Sequence, residues 1–289
     1  MTISARHLMG LTRPVRRVVL DPRTAMHYGL AVGMAAGGSA DERELRFVLE
    51  TGLSPVPSLA TVLGYDDSWI EPAGLDMRRI VHGAQKLRFL APLRPDAELT
   101  VAFAIAGVVD KGAGRGTIIV QETRLDDAAT GAPVAVGHSS LFVRGIGGGG
   151  SEGVDPRPHA LPARVPDLVR VTPTSPNQAL WFRLLGDLNP LHADPAVARA
   201  VGFDRPILHG ACTYGIACAT VLRTVCDLDP ARLRAFEARF VGPVFPGEDL
   251  AFLLWQDGDV VSFRAIATAR GAVVLDNGRA ELAVSAPAS

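Results

Sequence analysis

The sequence predicts an α+β fold in which antiparallel sheet is repeated in two halves of the chain. Three observations predict it: short strand-like runs joined by tight turns, a Gly- and Pro-rich break near mid-chain, and a copied segment on either side of that break. The chain has 289 residues, about twice the usual length of one domain. We therefore expect two units of similar size.

The mid-chain break occupies residues 145–166. It opens with the tract GIGGGGS at 145–151, a composition typical of a flexible linker. Closely spaced prolines follow and exclude regular helix or central strand. These prolines are Pro156, Pro158, Pro162 and Pro166. We expect an N-terminal unit over 1–144, a linker over 145–166 and a C-terminal unit over 167–289.

The two units carry a matching segment at an offset of 151 residues. Leu87–Leu99 reads LRFLAPLRPDAEL, and Ala238–Leu250 reads ARFVGPVFPGEDL. Five positions are identical: Arg88/Arg239, Phe89/Phe240, Pro92/Pro243, Pro95/Pro246 and Leu99/Leu250. Self-similarity on both sides of a linker indicates that the units share one architecture.

Runs rich in Val, Ile and Thr follow each copy and predict the strands. The predicted strands are Leu99–Val109, Arg115–Arg124, Ala132–Val143, Ala251–Gln256, Val260–Ala269 and Ala272–Val284. Short turns with Asp and Gly separate them, such as Asp257-Gly258-Asp259. Tight turns between consecutive strands predict antiparallel pairing.

Helices are fewer, and they are unequal between the units. The segment Ala211–Val225 is apolar on all sides and predicts a helix enclosed by a curved sheet. A shorter helix is predicted over Pro195–Val201, with Asp194 as its N-cap and Gly202 as its stop. The first unit has no equally long apolar helix at the position that corresponds to Ala211–Val225. We expect its central helix to be incomplete.

The composition excludes several classes of function. The net charge is −1 and aromatic residues make up 6% of the chain, which disfavours nucleic-acid binding. The longest nearly apolar run, Leu208–Leu222, is shorter than a bilayer span, and the segment Met1–Leu20 lacks the apolar block of a signal peptide. We expect a protein that binds neither nucleic acid nor membrane.

The three cysteines are too few and too closely grouped for a disulfide framework. Cys212, Cys218 and Cys226 also match no zinc or redox spacing. We expect buried, inert thiols and a location in a reducing cytoplasm. The tail Ala286–Ser289 is not a peroxisomal address.

Residue types suited to proton transfer are densest in the segment Gly186–His192. Pro190 disfavours helix at the residue before it, so this segment is expected to form a turn or loop. A loop brings the Asp187 carboxylate and the His192 imidazole to one point, where they hold a water between an acid and a base. The alternative is a structural turn in which Asp187 caps and His192 only packs.

A second feature lies at the start of the long predicted helix, at His209-Gly210. The glycine leaves a bare backbone N–H, which the helix dipole reinforces. Such a donor suits a carbonyl oxygen that becomes negative in a reaction. The alternative is a tight entry turn with no chemical role. A donor so close to an acid/base pair favours chemistry at a carbon next to a carbonyl.

These segments together resemble a known signature. The pattern Gly186-Asp187-x-Asn189-Pro190-x-His192, followed by Pro206–Gly210, resembles the MaoC-like, type 2 (R-specific) enoyl-CoA hydratases. Four segments of the first unit resemble the N-terminal half of the double-hotdog hydratases, including the hydratase domain of peroxisomal multifunctional enzyme type 2. They are His27–Gly33, Glu44–Glu50 with Pro57 after it, Val81–Gly83 and Asp110–Gly112.

The resemblance implies a double hotdog, with two antiparallel sheets that each wrap around a central helix. Only the C-terminal unit would be catalytic, and the incomplete N-terminal helix would leave room for a bulky acyl chain. The implied reaction is reversible addition of water to a trans-2-enoyl-CoA, giving a (3R)-3-hydroxyacyl-CoA in β-oxidation of fatty acids or steroid side chains. No metal or redox cofactor is implied, and coenzyme A is part of the substrate. Relatives commonly form homodimers.

Site residues carry over by motif position. Asp187 and His192 would activate water and exchange the α-carbon proton, Asn189 would position them, and the Gly210 N–H would stabilise the thioester enolate. Substrate-binding or supporting roles would fall to Glu50, His82, Gly83, Lys111, His209 and Phe240. One departure is Leu185, where many relatives carry Ser; the acid/base pair is unaffected.

Two further classes of function stay open on the sequence. One is another hotdog enzyme, either a 3-hydroxyacyl thioester dehydratase of a synthetic pathway or a thioesterase. A thioesterase normally needs a carboxylate on the central helix, and Ala211–Arg223 has none. The other is a non-catalytic acyl-CoA-binding subunit, against which the intact Asp187/His192 pair argues. The length of the preferred acyl chain stays undetermined.

Overall fold

A computed structural model describes residues 3–283 of the chain. Val284, at which the last predicted strand ends, and the tail Ala286–Ser289 lie outside the described residues. The strands are β1 (Arg16–Val19), β2 (Ile80–Phe89), β3 (Glu98–Asp110), β4 (Thr117–Asp127), β5 (Pro133–Val143), β6 (Glu152–Gly153), β7 (Leu168–Pro173), β8 (Leu233–Phe240), β9 (Asp249–Asp257), β10 (Val260–Ala267) and β11 (Ala272–Leu282). The α-helices are α1 (Ala5–Met9), α2 (Pro22–Ala31), α3 (Ala60–Leu63), α4 (Gln178–Phe182), α5 (Pro195–Ala200) and α6 (Gly210–Val225).

All described strands belong to one antiparallel sheet. Its order is β1-β3-β4-β5-β2-β8-β11-β10-β9-β7, with β6 paired to another part of β3. The first five strands in this order come from the N-terminal unit and the last five from the C-terminal unit. The two sheets that the sequence predicts are therefore joined edge to edge, through β2 and β8.

The β2–β8 pairing relates the two units by a pseudo-twofold axis. The last three residues of each strand, Leu87–Phe89 and Ala238–Phe240, begin the two copies of the sequence repeat. At the offset of 151 residues, Lys86 corresponds to Glu237, and the two face each other at the centre of the pairing. Ala84 faces Arg239, which is the copy of Arg88. The axis passes between Lys86 and Glu237, whose Nζ and Oε2 atoms lie 3.3 Å apart.

The central helices differ as the sequence predicts. Helix α6 has 16 residues, and every side chain from Cys212 to Leu222 is buried. Its counterpart in the N-terminal unit is α3, with 4 residues after a 3-10 turn. The chain turns at Gly64, where a Cβ atom would lie 2.7 Å from the Thr123 side chain on β4. The first central helix is incomplete, and no helix in 3–283 is long and apolar enough to cross a membrane.

The strand and helix predictions hold in part. The predicted strands that follow each repeat copy all occur, but β10 ends at Ala267 and a 3-10 turn takes its place at Thr268–Arg270. Helix α5 follows Asp194, whose side chain accepts from the Ala196 N–H as predicted. Strands β1, β2, β7 and β8 and helices α1, α2 and α4 were not predicted. Strand β7 is an edge strand that exposes nearly every residue, so buried and exposed residues do not alternate along it.

Backbone amides of the linker's glycine tract hydrogen-bond to the carboxylate of Asp110. The Asp110 carboxylate accepts hydrogen bonds from the Gly112 N–H at 2.8 Å, the Gly148 N–H at 2.8 Å and the Gly150 N–H at 3.1 Å. These amide hydrogen bonds lower the pKa of Asp110. Gly148 and Gly150 have φ values of 85° and 87°, which L side chains rarely adopt, and so their amides converge on one carboxylate.

The three cysteines are buried and unpaired, as predicted. Burial raises the pKa of Cys218 and of Cys226 to about 12. Thiols with a raised pKa carry little thiolate and react slowly. The three cysteines therefore pack as small apolar residues in the first turn, at the centre and at the C-cap of α6.

A buried ion pair attaches the N-terminal unit to the far end of α6. Arg223 donates hydrogen bonds to both carboxylate oxygens of Glu44 and to the Gly33 carbonyl, at 2.6 Å for the latter. Glu44 also accepts from the Ala35 N–H at 2.6 Å. Burial would raise the pKa of Glu44, but the hydrogen bonds and charge of Arg223 outweigh it and hold that pKa below its ordinary value.

We expect Glu44→Ala to lower the free energy of unfolding by about 3–5 kcal/mol, because it leaves the Arg223 guanidinium buried without its partner. Denaturant unfolding measures the change. The control is Glu42→Ala on the exposed part of the same turn, for which about 0.5 kcal/mol or less is expected. A loss of under about 1 kcal/mol for Glu44→Ala would contradict this role for the pair.

Candidate active site

The loop from Asp187 to His192 is shaped by two side-chain caps. Gly186 ends a 3-10 turn with a φ of 121°, and Asp187 follows it. The Asp187 Oδ1 atom accepts from the Asn189 N–H at 3.1 Å, and the Asn189 Oδ1 atom accepts from the Leu191 N–H at 3.0 Å. The second cap starts the 3-10 turn that buries His192. Asp187 thus caps a turn, as the structural alternative for this segment requires. The same turn brings the Asp187 carboxylate toward His192.

The tautomer of His192 follows from its hydrogen bond. The Nδ1 atom lies 2.9 Å from the Ile207 carbonyl oxygen, which only accepts, so Nδ1 carries the proton. The Nε2 atom then presents a lone pair. Burial lowers the pKa of His192, although the Ile207 hydrogen bond and the charge of Asp187 oppose the shift. His192 is therefore neutral at pH 7 and has a basic nitrogen available.

His209 supports both members of the pair. Its Nε2 atom donates to the Asp187 carbonyl oxygen at 3.2 Å, and its ring stacks on that of His192 with a centroid distance of 3.7 Å. Burial, with a contribution from His192, lowers the pKa of His209 to about 4. The buried Nδ1 atom has no hydrogen-bond partner within residues 3–283. These contacts fix the backbone of Asp187 and one face of His192.

Asp187, His192 and His209 form one cluster. Each contributes a ligand-type atom, and these atoms lie within 4.8 Å of one another. A carboxylate and a neutral imidazole at this spacing are suited to hold a water and move its proton. Two imidazoles and a carboxylate are also groups that bind transition metals.

The start of α6 lies next to this cluster, because His209 is the N-cap of the helix. The Gly210 N–H makes no hydrogen bond within the described part of the chain. The Phe240 ring lies against Gly210, and a Cβ atom there would be 3.4 Å from it. An unused N–H at the positive end of a 16-residue helix is a suitable donor to a developing oxyanion.

The site is completed from the other unit across the β2–β8 pairing. His82 on β2 packs against Phe240 on β8, with ring centroids 4.6 Å apart. Burial lowers the pKa of His82 to about 4, and its Nε2 atom is buried without a partner in the described chain. Gly83 follows directly. Three predicted substrate-binding residues thus lie together on the side of Gly210 that faces the Phe240 ring: His82, Gly83 and Phe240.

Two predicted residues lie apart from the cluster. Lys111 is exposed in the β3–β4 turn, which is at the same end of the sheet as the start of β2. Glu50 is exposed, and its side chain makes no hydrogen bond or ion pair among residues 3–283. The structure brings neither side chain into contact with Asp187 or His192.

Three neighbours of the cluster had no signal in the sequence. The Phe182 ring lies 5.0 Å from that of His209. The charge of Arg183 contributes to lowering the pKa of His209. Tyr65, just after α3, has a raised pKa because of burial and its hydrogen bond to Asp67, with a contribution from the charge of Asp187. The charge of Asp187 therefore acts on a residue more than 100 positions earlier, an effect that only the folded chain creates.

Two family models match the chain. The model described as MFE-2 hydratase 2 N-terminal domain matches residues 19–145, and the model described as MaoC like domain matches residues 159–277. Together they span both units and leave the linker region between them. The Asp187–His192 loop and the start of α6 lie in the second match.

Relatives with known names match nearly the whole chain. The 3-hydroxyacyl-thioester dehydratase Y of Mycobacterium tuberculosis is 34% identical, with 97% of this chain and 99% of the relative covered. The peroxisomal enoyl-CoA hydratase 2 of Arabidopsis thaliana is 32% identical, with 93% and 92% covered.

The crystal structure of a MaoC-like dehydratase from Phytophthora capsici superposes with a TM-score of 0.88. The two sequences are 31% identical, and 99% of this chain and 100% of that one are covered. This likeness confirms the predicted α+β double-hotdog fold. Because both halves match and relatives above 30% identity align over almost the full length, the chain belongs to the MaoC-like family, in the two-unit form whose first half is an MFE-2 hydratase 2 N-terminal domain.

Proposed function

We propose that the chain is an enoyl-CoA hydratase 2, which adds water reversibly to trans-2-enoyl-CoA to give (3R)-3-hydroxyacyl-CoA in β-oxidation. One observation carries the proposal: a carboxylate and a neutral imidazole lie together beside an unused backbone N–H. Family membership supports it, since relatives with matching length are named hydratases and dehydratases of acyl thioesters.

The groups have distinct tasks in the addition. The neutral His192 Nε2 accepts a proton from water while the water oxygen bonds to C3, and the C2=C3 electron pair moves toward the thioester. The Gly210 N–H donates to the enolate oxygen that forms. The Asp187 carboxylate holds the water and stabilises the imidazolium. The proton then passes from the pair to C2, so that one water has added across the double bond. His209 acts as a positioning residue for both groups.

The substrate is an acyl-CoA whose acyl chain extends toward the N-terminal unit. The 4-residue helix α3 supports this, because it is much shorter than the 16-residue α6 that fills the corresponding space in the other unit. Lys111, exposed at the same end of the sheet as His82, supplies a positive point charge for the CoA phosphates.

The reverse reaction, dehydration of a 3-hydroxyacyl thioester, uses the same groups in the opposite order, and the name of the mycobacterial relative favours it as the second candidate. Thioester hydrolysis is disfavoured. Helix α6 carries no Asp or Glu to activate water at the carbonyl.

Three further properties belong to the proposal. We propose a cytoplasmic location, supported by three unpaired buried thiols, and a homodimer, as is common among hotdog proteins. We also propose that no metal takes part, because the acid/base pair supplies the chemistry unaided.

Dialysis against EDTA should then leave the hydration rate unchanged. A rate that falls and returns on adding Zn²⁺ would instead identify Asp187, His192 and His209 as a metal site.

We expect Asp187→Asn and His192→Gln each to lower kcat/KM for enoyl-CoA hydration by about 10²–10⁴-fold, because each removes a proton-transfer group while keeping a similar shape. Loss of the conjugated thioester absorbance measures the rate. Asp194→Asn is the control: Asn caps a helix as well as Asp, so the rate should persist. Full activity in both site variants would refute the assignment, as would a wild type that consumes no enoyl-CoA of any length.

We expect the acid limb of the kcat/KM profile to fall below pH 6.5, because burial lowers the pKa of the base His192 and keeps it neutral at lower pH. Stability also declines from pH 6.5 toward pH 4, since unfolded His82 and His209 bind protons that the folded forms, with pKa about 4, do not. Short pH jumps with an activity check on return separate the two effects. An acid limb at or above pH 6.5 would contradict the role of His192.

We expect hydration rates with C10 and steroid-side-chain enoyl-CoAs to equal or exceed the rate with the C4 substrate, because α3 ends before it fills the unit. Comparing kcat/KM for the three thioesters tests this. A sharp preference for the C4 substrate would contradict the use of this space by the acyl chain.

A further inference from the structure

A cavity lies at the opposite end of the β2–β8 pairing from the Asp187, His192 and His209 cluster. Its volume is about 280 Å³. His82 marks the catalytic end of β2, whereas Phe89, which lines the cavity, marks the other end. Further lining residues are Pro55, Pro57, Leu93, Leu233 and Arg234.

The pseudo-twofold axis places this cavity where the copy of the catalytic site belongs. At the 151-residue offset, Phe89 corresponds to Phe240, the ring that lies against Gly210. Pro55 corresponds to Pro206 in the segment before α6. On the partner strand, Leu233 corresponds to His82. The remaining correspondences are Pro57 to Leu208, Pro92 to Pro243 and Leu93 to Val244.

The copy has lost the groups that move protons. The pairs β1–β3 and β7–β9 match at an offset of 154 residues between β1 and β7, at which Asp187 and His192 correspond to Gly33 and Gly38. At the offset of 151, which holds around β2, His209 corresponds to Ser58. The Ser58 hydroxyl is buried and accepts a hydrogen bond from the Tyr28 hydroxyl at 2.9 Å. Gly210 is replaced by Leu59, whose N–H donates to the Val56 carbonyl at 2.9 Å. No free donor comparable to the Gly210 N–H is left there.

The copy has kept an apolar pocket and gained a cation. Arg234 stands where the catalytic site has Gly83, directly beyond the paired stretch of β2 and β8. Its side chain is exposed and makes no hydrogen bond or ion pair within residues 3–283. An unpaired guanidinium at the edge of an apolar pocket is suited to an amphipathic anion.

We propose that this cavity is a non-catalytic binding site for a short acyl chain with an anionic head group, the chain against Phe89 and the head group on Arg234. The choice of an acyl ligand rests on the proposed function, because the cavity is the copy of the site that binds acyl thioesters. Its volume, near the lower end for small-molecule sites, selects short chains. A free fatty acid and a fatty acyl-CoA share this chemistry.

The full-length protein can be titrated calorimetrically with two probes, octanoate and octanoyl-CoA. Octanoyl-CoA has no C2=C3 bond, so it binds without reacting whether or not the chain is a hydratase. For either probe that the cavity accepts, we expect Arg234→Gln to weaken one binding event by about tenfold or more, because it removes a charge-assisted contact. Ala231→Trp, on the exposed rim, should abolish the same event by filling the cavity.

The matched control is Arg88→Gln. Arg88 is exposed on β2 next to Phe89, and alternate strand residues point to opposite faces, so its removal should leave all binding unchanged. If the event that these variants alter is seen only with octanoate, the ligand of the cavity is a free fatty acid. If octanoyl-CoA shows it in addition to binding at the active site, the ligand is the thioester. The proposal is overturned if neither probe shows an event that Arg234→Gln or Ala231→Trp alters, or if Arg88→Gln alters binding equally. Failure of the hydratase proposal would appear instead as absent turnover of enoyl-CoA.

Discussion

The antiparallel pairing of β2 with β8 is the interaction on which the rest of the structure depends. It merges two curved sheets into one and removes an exposed edge from each. It also fixes where a site is able to form, because each end of the pairing brings the start of one strand beside the end of the other. His82 from one unit and Phe240 from the other meet at the catalytic end for this reason. Neither unit alone supplies both residues.

Within that frame, two backbone carbonyls determine the chemistry of the cluster. The Ile207 carbonyl sets the tautomer of His192, and the Asp187 carbonyl sets that of His209. Both are neutral acceptors, so the imidazoles are oriented without an added charge. Burial then keeps the two rings uncharged at neutral pH. The His192 and His209 rings stack without electrostatic repulsion because both are neutral.

The sequence predicts the fold class, the repeat, α6 and the Asp187–His192 loop, because each depends on local patterns: apolar periodicity, turn residues and caps. It predicts too few strands, since the exposed edge strand β7 shows no alternation and β2 and β8 are defined by a partner in the other half of the chain. The Arg223–Glu44 pair also depends on a contact between distant segments. Composition likewise does not reveal that the Asp110 carboxylate accepts hydrogen bonds from the Gly148 and Gly150 amides of the glycine tract.

The anchored linker has a consequence for how the two copies diverge. In a symmetric dimer of identical single units, every substitution appears twice, so a side chain cannot be lost from one site and kept in the other. Here the two copies are encoded separately and joined by one continuous backbone held at Asp110. The first copy is therefore able to carry Ser58 and Leu59 where the second carries His209 and Gly210. Because the two copies are separate parts of one chain, a substitution in one half leaves the corresponding residue of the other half unchanged.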